Sequence, residues 1–266
     1  MDDTQFRQLL DFLGLSWQGY RKVRKGVKKR VTRHMQELGC RNLSAYLEQL
    51  DRSEAVRREC EQRLSVSISR FFRDQRLWEV LETKILPALI QTCGENLRVW
   101  SAGCACGEEA YSLRILWEHM RRSRVNLPQL EIMATDLHPL YLNRARAARY
   151  PSSSLREIPK EQRAICFEKE TGRNRFRLKP GLKDGIRWLA HDFFSGPHGS
   201  GFHLILIRNN LLTYYQDGRV APVLHEIINV LWVGGYMVIG SHERLPFHVP
   251  VLEPSPSLSY AFKKRP

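Results

Sequence analysis

The run from residue 97 to residue 113, Leu-Arg-Val-Trp-Ser-Ala-Gly-Cys-Ala-Cys-Gly-Glu-Glu-Ala-Tyr-Ser-Leu, constrains the fold of this chain more than any other segment. Residues 97–101 form a short apolar strand pattern, 101–107 carry only small side chains, and a helical pattern follows from 108 to 120. A strand that feeds a small-residue loop and then a helix is the opening unit of a doubly wound sheet. Such a loop lets a ligand lie against bare backbone at the carboxyl end of the strands, where larger side chains would fill the space. Gly103 and Gly107 fit a tight turn without a ligand equally well.

The same grammar continues downstream. Residues 130–135 read as a strand ending at Asp136, 139–150 as a helix, 186–191 and 202–207 as strands, and 219–231 as a helix. Gly234-Gly235 then introduces a strand at 236–240. An acidic residue at the end of the second strand accepts hydrogen bonds from ribose hydroxyls in dinucleotide-type folds, and alone it also reads as a helix N-cap. Neither a Gly-x-Gly-x-x-Gly nor a Gly-Lys-Ser/Thr motif is present, which disfavours dinucleotides and nucleoside triphosphates. The interval from 150 to 186 is longer than a simple connection needs and predicts a small inserted β-subdomain at 151–185, with a strand at 175–178.

Residues 1–75 predict a helical domain, and 76–266 the α/β domain. Phe6, Leu9, Leu10 and Leu13 recur at helical spacing before Gly14. From 20 to 38, Val23, Val27, Val31, Met35 and Leu38 share one stripe, interleaved with Arg21, Lys22, Arg24, Lys25, Lys28, Lys29, Arg30 and Arg33. Asn42 and Ser53 are placed to cap the next helices, and Pro87 marks a kink or restart. With 42 Lys and Arg against 28 Asp and Glu the net charge is +14, which attracts nucleic acid, acidic membrane surfaces or acidic protein segments. No signal-peptide pattern opens the chain and no apolar run is long enough to span a bilayer, so a soluble, cytoplasmic protein without membrane insertion is expected. The six cysteines show no framework spacing, and the Cys104-x-Cys106 pair lacks further ligands, so no metal site is expected.

Taken together, several motifs resemble the chemotaxis receptor glutamate methyltransferase family, the CheR type. They are Phe71-Phe72-Arg73-Asp74, the 97–113 run, Ala134-Thr135-Asp136, His191-Asp192-Phe193, Arg208-Asn209, Gly234-Gly235-Tyr236 and Gly240-Ser241-His242-Glu243, in the family's order. The resemblance implies a class I, Rossmann-like methyltransferase with a helical N-terminal domain and a small β-subdomain. It implies S-adenosyl-L-methionine as cofactor, S-adenosyl-L-homocysteine as product, and methyl esters on glutamate side chains of a chemoreceptor helix. By the same resemblance Arg73, Tyr214 and Arg208 are catalytic. Ser67, Ser69, Arg73, Gly103, Glu109, Asp136, Asp192, Phe193 and Asn209 bind the cofactor, and Arg21, Arg24, Lys25, Lys28 and Lys29 dock the acidic substrate helices. Read singly, Arg73 is a surface arginine before a helix, Glu109 a charge at a helix N-terminus, Asp192 a strand-end turn residue and Tyr214 a packing residue. Glutamate, with an ordinary pKa of about 4.3, is already ionised at neutral pH, so the chemistry needs alignment and dehydration more than a base.

The match has departures. Ala105-Cys106 stands where Ser-Thr is common, Ala110 replaces Pro and Ile207 replaces Cys. The 208–214 segment is one residue longer than usual, leaving Tyr214 and Tyr215 both open as the active-site tyrosine. A short loop at 168–174 points to the type that needs no receptor tail peptide. Other acceptors on the same fold, a different protein carboxylate or a small molecule, stay open, as does a sensor that only binds cofactor. A nucleic-acid acceptor is disfavoured, because Arg208-Asn209-Asn210-Leu211 stands where base methylation uses Asn/Asp-Pro-Pro-aromatic, and no Pro-Cys occurs.

Overall fold

The computed structural model describes residues 1–67, 69–124, 126–172 and 174–266; Arg173, in the short loop at 168–174, lies outside the described residues. The chain forms two compact units, Met1–Val66 with Asn209–Pro222, and Ser67–Arg208 with Val223–Pro266. The division thus falls earlier than the 75/76 boundary read from the sequence, and a later segment returns to the first unit.

Helices α1 (Asp3–Phe12), α2 (Trp17–Tyr20), α3 (Arg24–Glu37), α4 (Leu43–Arg52) and α5 (Glu54–Leu64) build the first unit. Asp2 and Gln5 cap each other's backbone at the start of α1, while Asn42 and Ser53 cap α4 and α5 as their positions predict. The helix expected at 20–38 is broken at 21–23, so α3 starts at Arg24. Its Val27 and Val31 join Phe6, Leu9, Leu10, Tyr46, Leu50 and Cys60 in a core excluded from water. The returning segment is fastened by backbone pairing: Leu15 bridges Tyr215, and the Ser16 N–H donates to the Tyr214 carbonyl at 2.9 Å. Gly19 permits that approach, because a β-carbon there would collide with the Thr213 carbonyl oxygen.

The second unit opens with α6 (Gln75–Val80) and α7 (Leu86–Ile90), joined by a π-helical turn, Leu81–Ile85. That wide turn is the local answer to Pro87, which has no N–H to give and whose ring crowds the carbonyl one turn back. There follow β1 (Asn96–Ala102), α8 (Glu108–Ser123), β2 (Gln129–Asp136), α9 (Pro139–Ala147), β3 (Arg149–Pro151), α10 (Lys160–Cys166), β4 (Phe167–Lys169), β5 (Arg175–Leu178), β6 (Ile186–Ala190) and β7 (Phe202–Leu206). After the return segment, with α11 (Leu211–Tyr214), come α12 (Asp217–Val230), β8 (Leu231–Val238), β9 (Leu252–Ser255) and β10 (Leu258–Lys264).

Seven strands form the main sheet in the order β6-β2-β1-β7-β8-β10-β9, parallel through β8 and antiparallel at β10 and β9. Trp100 of β1 pairs with Met133 and Ile205 on its two sides. β1 from Val99 onward and all of β7 are buried on both faces, and their sequences are accordingly mostly apolar instead of alternating. The insertion is a three-stranded antiparallel sheet, β3-β5-β4. It closes over Phe71, whose ring meets Tyr150 at 4.8 Å and Phe167 at 5.1 Å. Two sequence expectations are revised: Gly234 and Gly235 lie inside β8 instead of ahead of it, and the β9–β10 hairpin completes the sheet where no strand is read. Among the described residues no helix is long and apolar enough to cross a membrane.

Gly19→Ala should cost the folded state about 2–4 kcal/mol, because the clash is with backbone and cannot be relieved by a rotamer. Urea unfolding followed by circular dichroism measures it, and a loss below about 0.5 kcal/mol would show that the return segment is loosely held.

Candidate active site

The strand order reverses between β1 and β7, so the carboxyl ends of these strands flank the switch point where open α/β sheets bind ligands. The loop that leaves β1 is tied to β2 by its backbone: the N–H groups of Gly103 and Cys104 both donate to the Thr135 carbonyl at 2.8 Å. Ala105, at φ +49°, donates its N–H to Asp136 Oδ2 at 2.8 Å, and His138 N–H donates to Oδ1 at 2.9 Å. Burial raises the Asp136 carboxyl above its usual range, and those two N–H groups oppose the shift. Gly107, at φ +90°, starts α8; a β-carbon there would sit 2.8 Å from the Trp188 ring and 2.9 Å from Ala145 Cβ.

Across the switch point, Arg208 follows β7 with its side chain 4% exposed. Its Nη1 donates to Glu109 Oε2 at 3.1 Å, its Nη2 donates to the Arg73 carbonyl at 3.2 Å, and Nη2 lies 3.6 Å from Asp74 Oδ2. Ser101 Oγ donates to the other Glu109 oxygen at 2.8 Å, the Tyr260 hydroxyl donates to Asp74 Oδ2 at 2.7 Å, and the Trp78 indole donates to the Arg73 carbonyl at 3.0 Å. Burial pushes the Glu109 carboxyl up, and Arg208, Ser101 and the Arg73 charge each oppose it. Arg208 is therefore committed to the protein itself: it fixes the backbone of Arg73 and the carboxylates around it. Asp74 and Tyr260, which no local pattern marks, belong to the same network; Asp74 stands next to Arg73 in the Phe-Phe-Arg-Asp motif, which is the one available clue.

Arg73 is half-buried between Phe72 and Asp74, both at positive φ (+51° and +71°). Positive φ in such residues persists only where the surroundings over-determine it. Asp192 and Phe193 follow β6, where the His191 N–H donates to the Asp136 carbonyl at 3.1 Å and sets their turn beside the end of β2. The Asp192 carboxylate caps that turn, accepting from Phe194 N–H at 3.0 Å. Ser69 donates to Glu108, and Ser67 is half-buried where the second unit begins.

Asn209 and Tyr214 belong to the first unit. The Tyr214 ring packs 5.0 Å from that of Tyr20, and the Arg219 guanidinium lies 5.5 Å from the Tyr215 ring. Of the predicted docking cations, Arg24 and Lys28 pair with Asp3 at 3.1 and 2.5 Å, while Arg21, Lys25 and Lys29 face solvent. Lys22 and Arg33 extend that exposed face.

The loop is surrounded by polar capacity that the protein leaves open. Asp136 uses one acceptor site on each oxygen, and the buried Glu108 Oε2 and His138 Nδ1 have no hydrogen-bond partner among the described residues. Acceptors beside bare backbone suit a ligand with ribose hydroxyls and an ammonium group. The Cys104 and Cys106 thiols are raised by burial, the latter to about 11, so neither is a thiolate at neutral pH.

Replacing Arg208 by Ala should destabilise the fold by about 3–5 kcal/mol, since Glu109 and Asp74 lose their partner in a buried place. Arg208→Lys should recover only part of this, because one ammonium cannot reproduce the fork to Glu109 and the Arg73 carbonyl. Chemical denaturation of the two variants checks both; an Arg208→Lys protein as stable as the wild type would rule out the fork as the important feature.

Comparison with known proteins places these features. Residues 67–260 match the family described as CheR methyltransferase, SAM binding domain. The chemotaxis protein methyltransferase of Listeria innocua serovar 6a is 34% identical over 182 residues, covering 68% of this chain and 67% of its own. Chemotaxis protein methyltransferase Cher2 of Pseudomonas putida is 26% identical over 247 residues, covering 89% of each chain. The chain belongs to the CheR methyltransferase family and is an S-adenosylmethionine-dependent methyltransferase on a class I α/β fold.

Proposed function

We propose that this enzyme methylates glutamate side-chain carboxylates of an acidic protein helix, the methylation helices of a chemoreceptor, in the cytoplasm. The observation that carries this reading is the match to the CheR family over residues 67–260, together with an α3 and its approach that expose Arg21, Lys22, Lys25, Lys29 and Arg33. Exposed cations of one sign steer an anionic helix toward this face and lose effect as salt rises.

When bound, the cofactor supplies an electrophilic methyl group on a sulfonium centre. The small-residue loop at Gly103 and the acceptors Asp136 and Glu109 would hold it, together with Ser67, Ser69, Arg73, Asp192 and Phe193. Arg73 binds the acceptor carboxylate, strips its water and holds it for in-line attack. Arg208 acts through Arg73, by holding its carbonyl. No group has to remove a proton, because the acceptor is already ionised. The protonated thiols of buried Cys104 and half-buried Cys106 suit a site of this kind.

Incubation with methyl-labelled S-adenosylmethionine and an acidic receptor cytoplasmic fragment tests the reading. Label released as methanol by mild alkali identifies a carboxyl ester; Arg73→Ala should lower its formation by at least about 100-fold, as loss of a carboxylate-positioning group does. Lys25→Glu with Lys29→Glu should raise KM several-fold at low salt with kcat unchanged, and the difference should shrink at high salt. Alkali-stable label would move the acceptor to another chemical class.

A further inference from the structure

Glu108 is a buried charge that the Arg208 network does not use. It opens α8, is 5% exposed, accepts a hydrogen bond from the Ser69 hydroxyl, and keeps Oε2 without a partner among the described residues. Burial raises its carboxyl to about 6, although Ser69 and its own N–H pull the other way. A half-satisfied buried carboxylate opposes folding, so its presence calls for a reason other than stability.

Its connections lead to one stretch of chain. The Glu108 carbonyl accepts from Ser112 Oγ at 2.6 Å, and the same Oγ accepts from the Phe72 N–H at 2.9 Å. Side chain and backbone of one residue thus reach both Ser69 and Phe72. Further holds on this stretch come from the inserted subdomain and its approach: Arg70 pairs with Glu157 at 3.2 Å, and Phe71 N–H donates to the Ser154 carbonyl at 3.0 Å. The titratable groups around Glu108 do not compete with it near neutral pH. Cys106 and Tyr150 are raised by burial and stay neutral, Arg70 is paired with Glu157, and Glu109 is paired with Arg208.

We infer that Glu108 is a positioning residue: through Ser69 its carboxylate holds the segment bearing Arg73 in the conformation that receives the cofactor. This rests on the reading that Ser67, Ser69 and Arg73 belong to the cofactor site. A carboxyl raised in the folded state binds more protons there than in the unfolded chain between its ordinary value of 4.5 and about 6. Stability therefore falls as pH rises through that window, and the loss is complete above it.

Glu108→Gln removes the buried charge and keeps the shape. At pH 8 its Tm should exceed that of the wild type by about 3–6 °C, with the gain vanishing toward pH 4.5. Its Kd for S-adenosylhomocysteine, by calorimetry at pH 8, should nonetheless be about ten-fold weaker, because a charge-assisted hydrogen bond has become a neutral one. Wild-type affinity should fall toward the same value as pH drops through about 6, with Glu108→Gln flat across that range. Ser69→Ala should weaken binding similarly, and the double variant no further, since both changes break one link. A Glu108→Gln protein that binds as the wild type does, or single effects that multiply in the double variant, overturns the inference. Arg73→Ala run alongside separates the two readings. Unchanged binding there sinks the assignment of this stretch to the cofactor, whereas weakened binding there with unchanged Glu108→Gln sinks only the positioning role.

Discussion

The buried pair between Arg208 and Glu109 links the two halves of the sheet at the switch point where a ligand can enter it. Each member arrives from a different strand, Arg208 just beyond β7 and Glu109 in the first turn after the β1 loop. Taking both from water is expensive, and the Glu109 carboxyl is raised by burial even beside its partner, so desolvation outruns attraction. Apolar residues of similar volume often give equal or greater stability in such positions. The pair is better understood through what else it touches. Ser101 fixes one Glu109 oxygen, while the second Arg208 nitrogen reaches the Arg73 carbonyl and Asp74, which Tyr260 holds from β10. Phe72 and Asp74, both at positive φ, flank the Arg73 carbonyl that this network holds, so backbone strain is concentrated around that arginine.

Charge is used in two different ways in this chain. The surplus of +14 is partly displayed on α3 and its approach, where cations at 21, 22, 25, 29 and 33 are exposed and act over a Debye length. Arg24 and Lys28 on the same helix are held by Asp3, which ties α3 to α1. Around the β1 loop the pattern inverts, with Glu108, Glu109 and Asp136 gathered beside backbone and all three raised by burial. Glu109 has a cation, Arg208, within ion-pair distance, whereas Asp136 is held by N–H groups and Glu108 by a hydroxyl. Acceptors arranged in this way favour a ligand that brings donors, and the family's cofactor does so with ribose hydroxyls and an ammonium group.

How much of this is legible in the chain follows from the range of each interaction. The loop from Ser101 to Gly107 can be read because its requirement is local: small side chains between an apolar strand and a helix. Asp136 can be read because it ends the next strand. The capping residues Asn42 and Ser53 act within three residues of themselves and are equally visible. Arg208 is legible as a site residue only through resemblance, and its contacts are not, since its partners lie 99 and 135 residues away. The β9–β10 hairpin escapes because β10 gains its identity by pairing with β8 and β9, and its own burial alternates irregularly.

The same distinction explains the division of the chain. A boundary at 75 follows the change of pattern from helices to strands, but compactness is decided by which segments pack together. The stretch from Ser69 to Asp74 packs with Ser112, Ser154, Tyr150 and Phe167, so the arginine segment belongs to the α/β unit although it precedes its first strand. Residues 209–222 pack with 13–20, because Gly14 and Gly19 leave room for Arg219 and Thr213, and backbone pairing at Leu15 and Ser16 completes the join. Arg208 and Asn209 are neighbours in the chain yet fall in different units. One peptide bond therefore separates the residue that holds Arg73 from the segment that carries Tyr214.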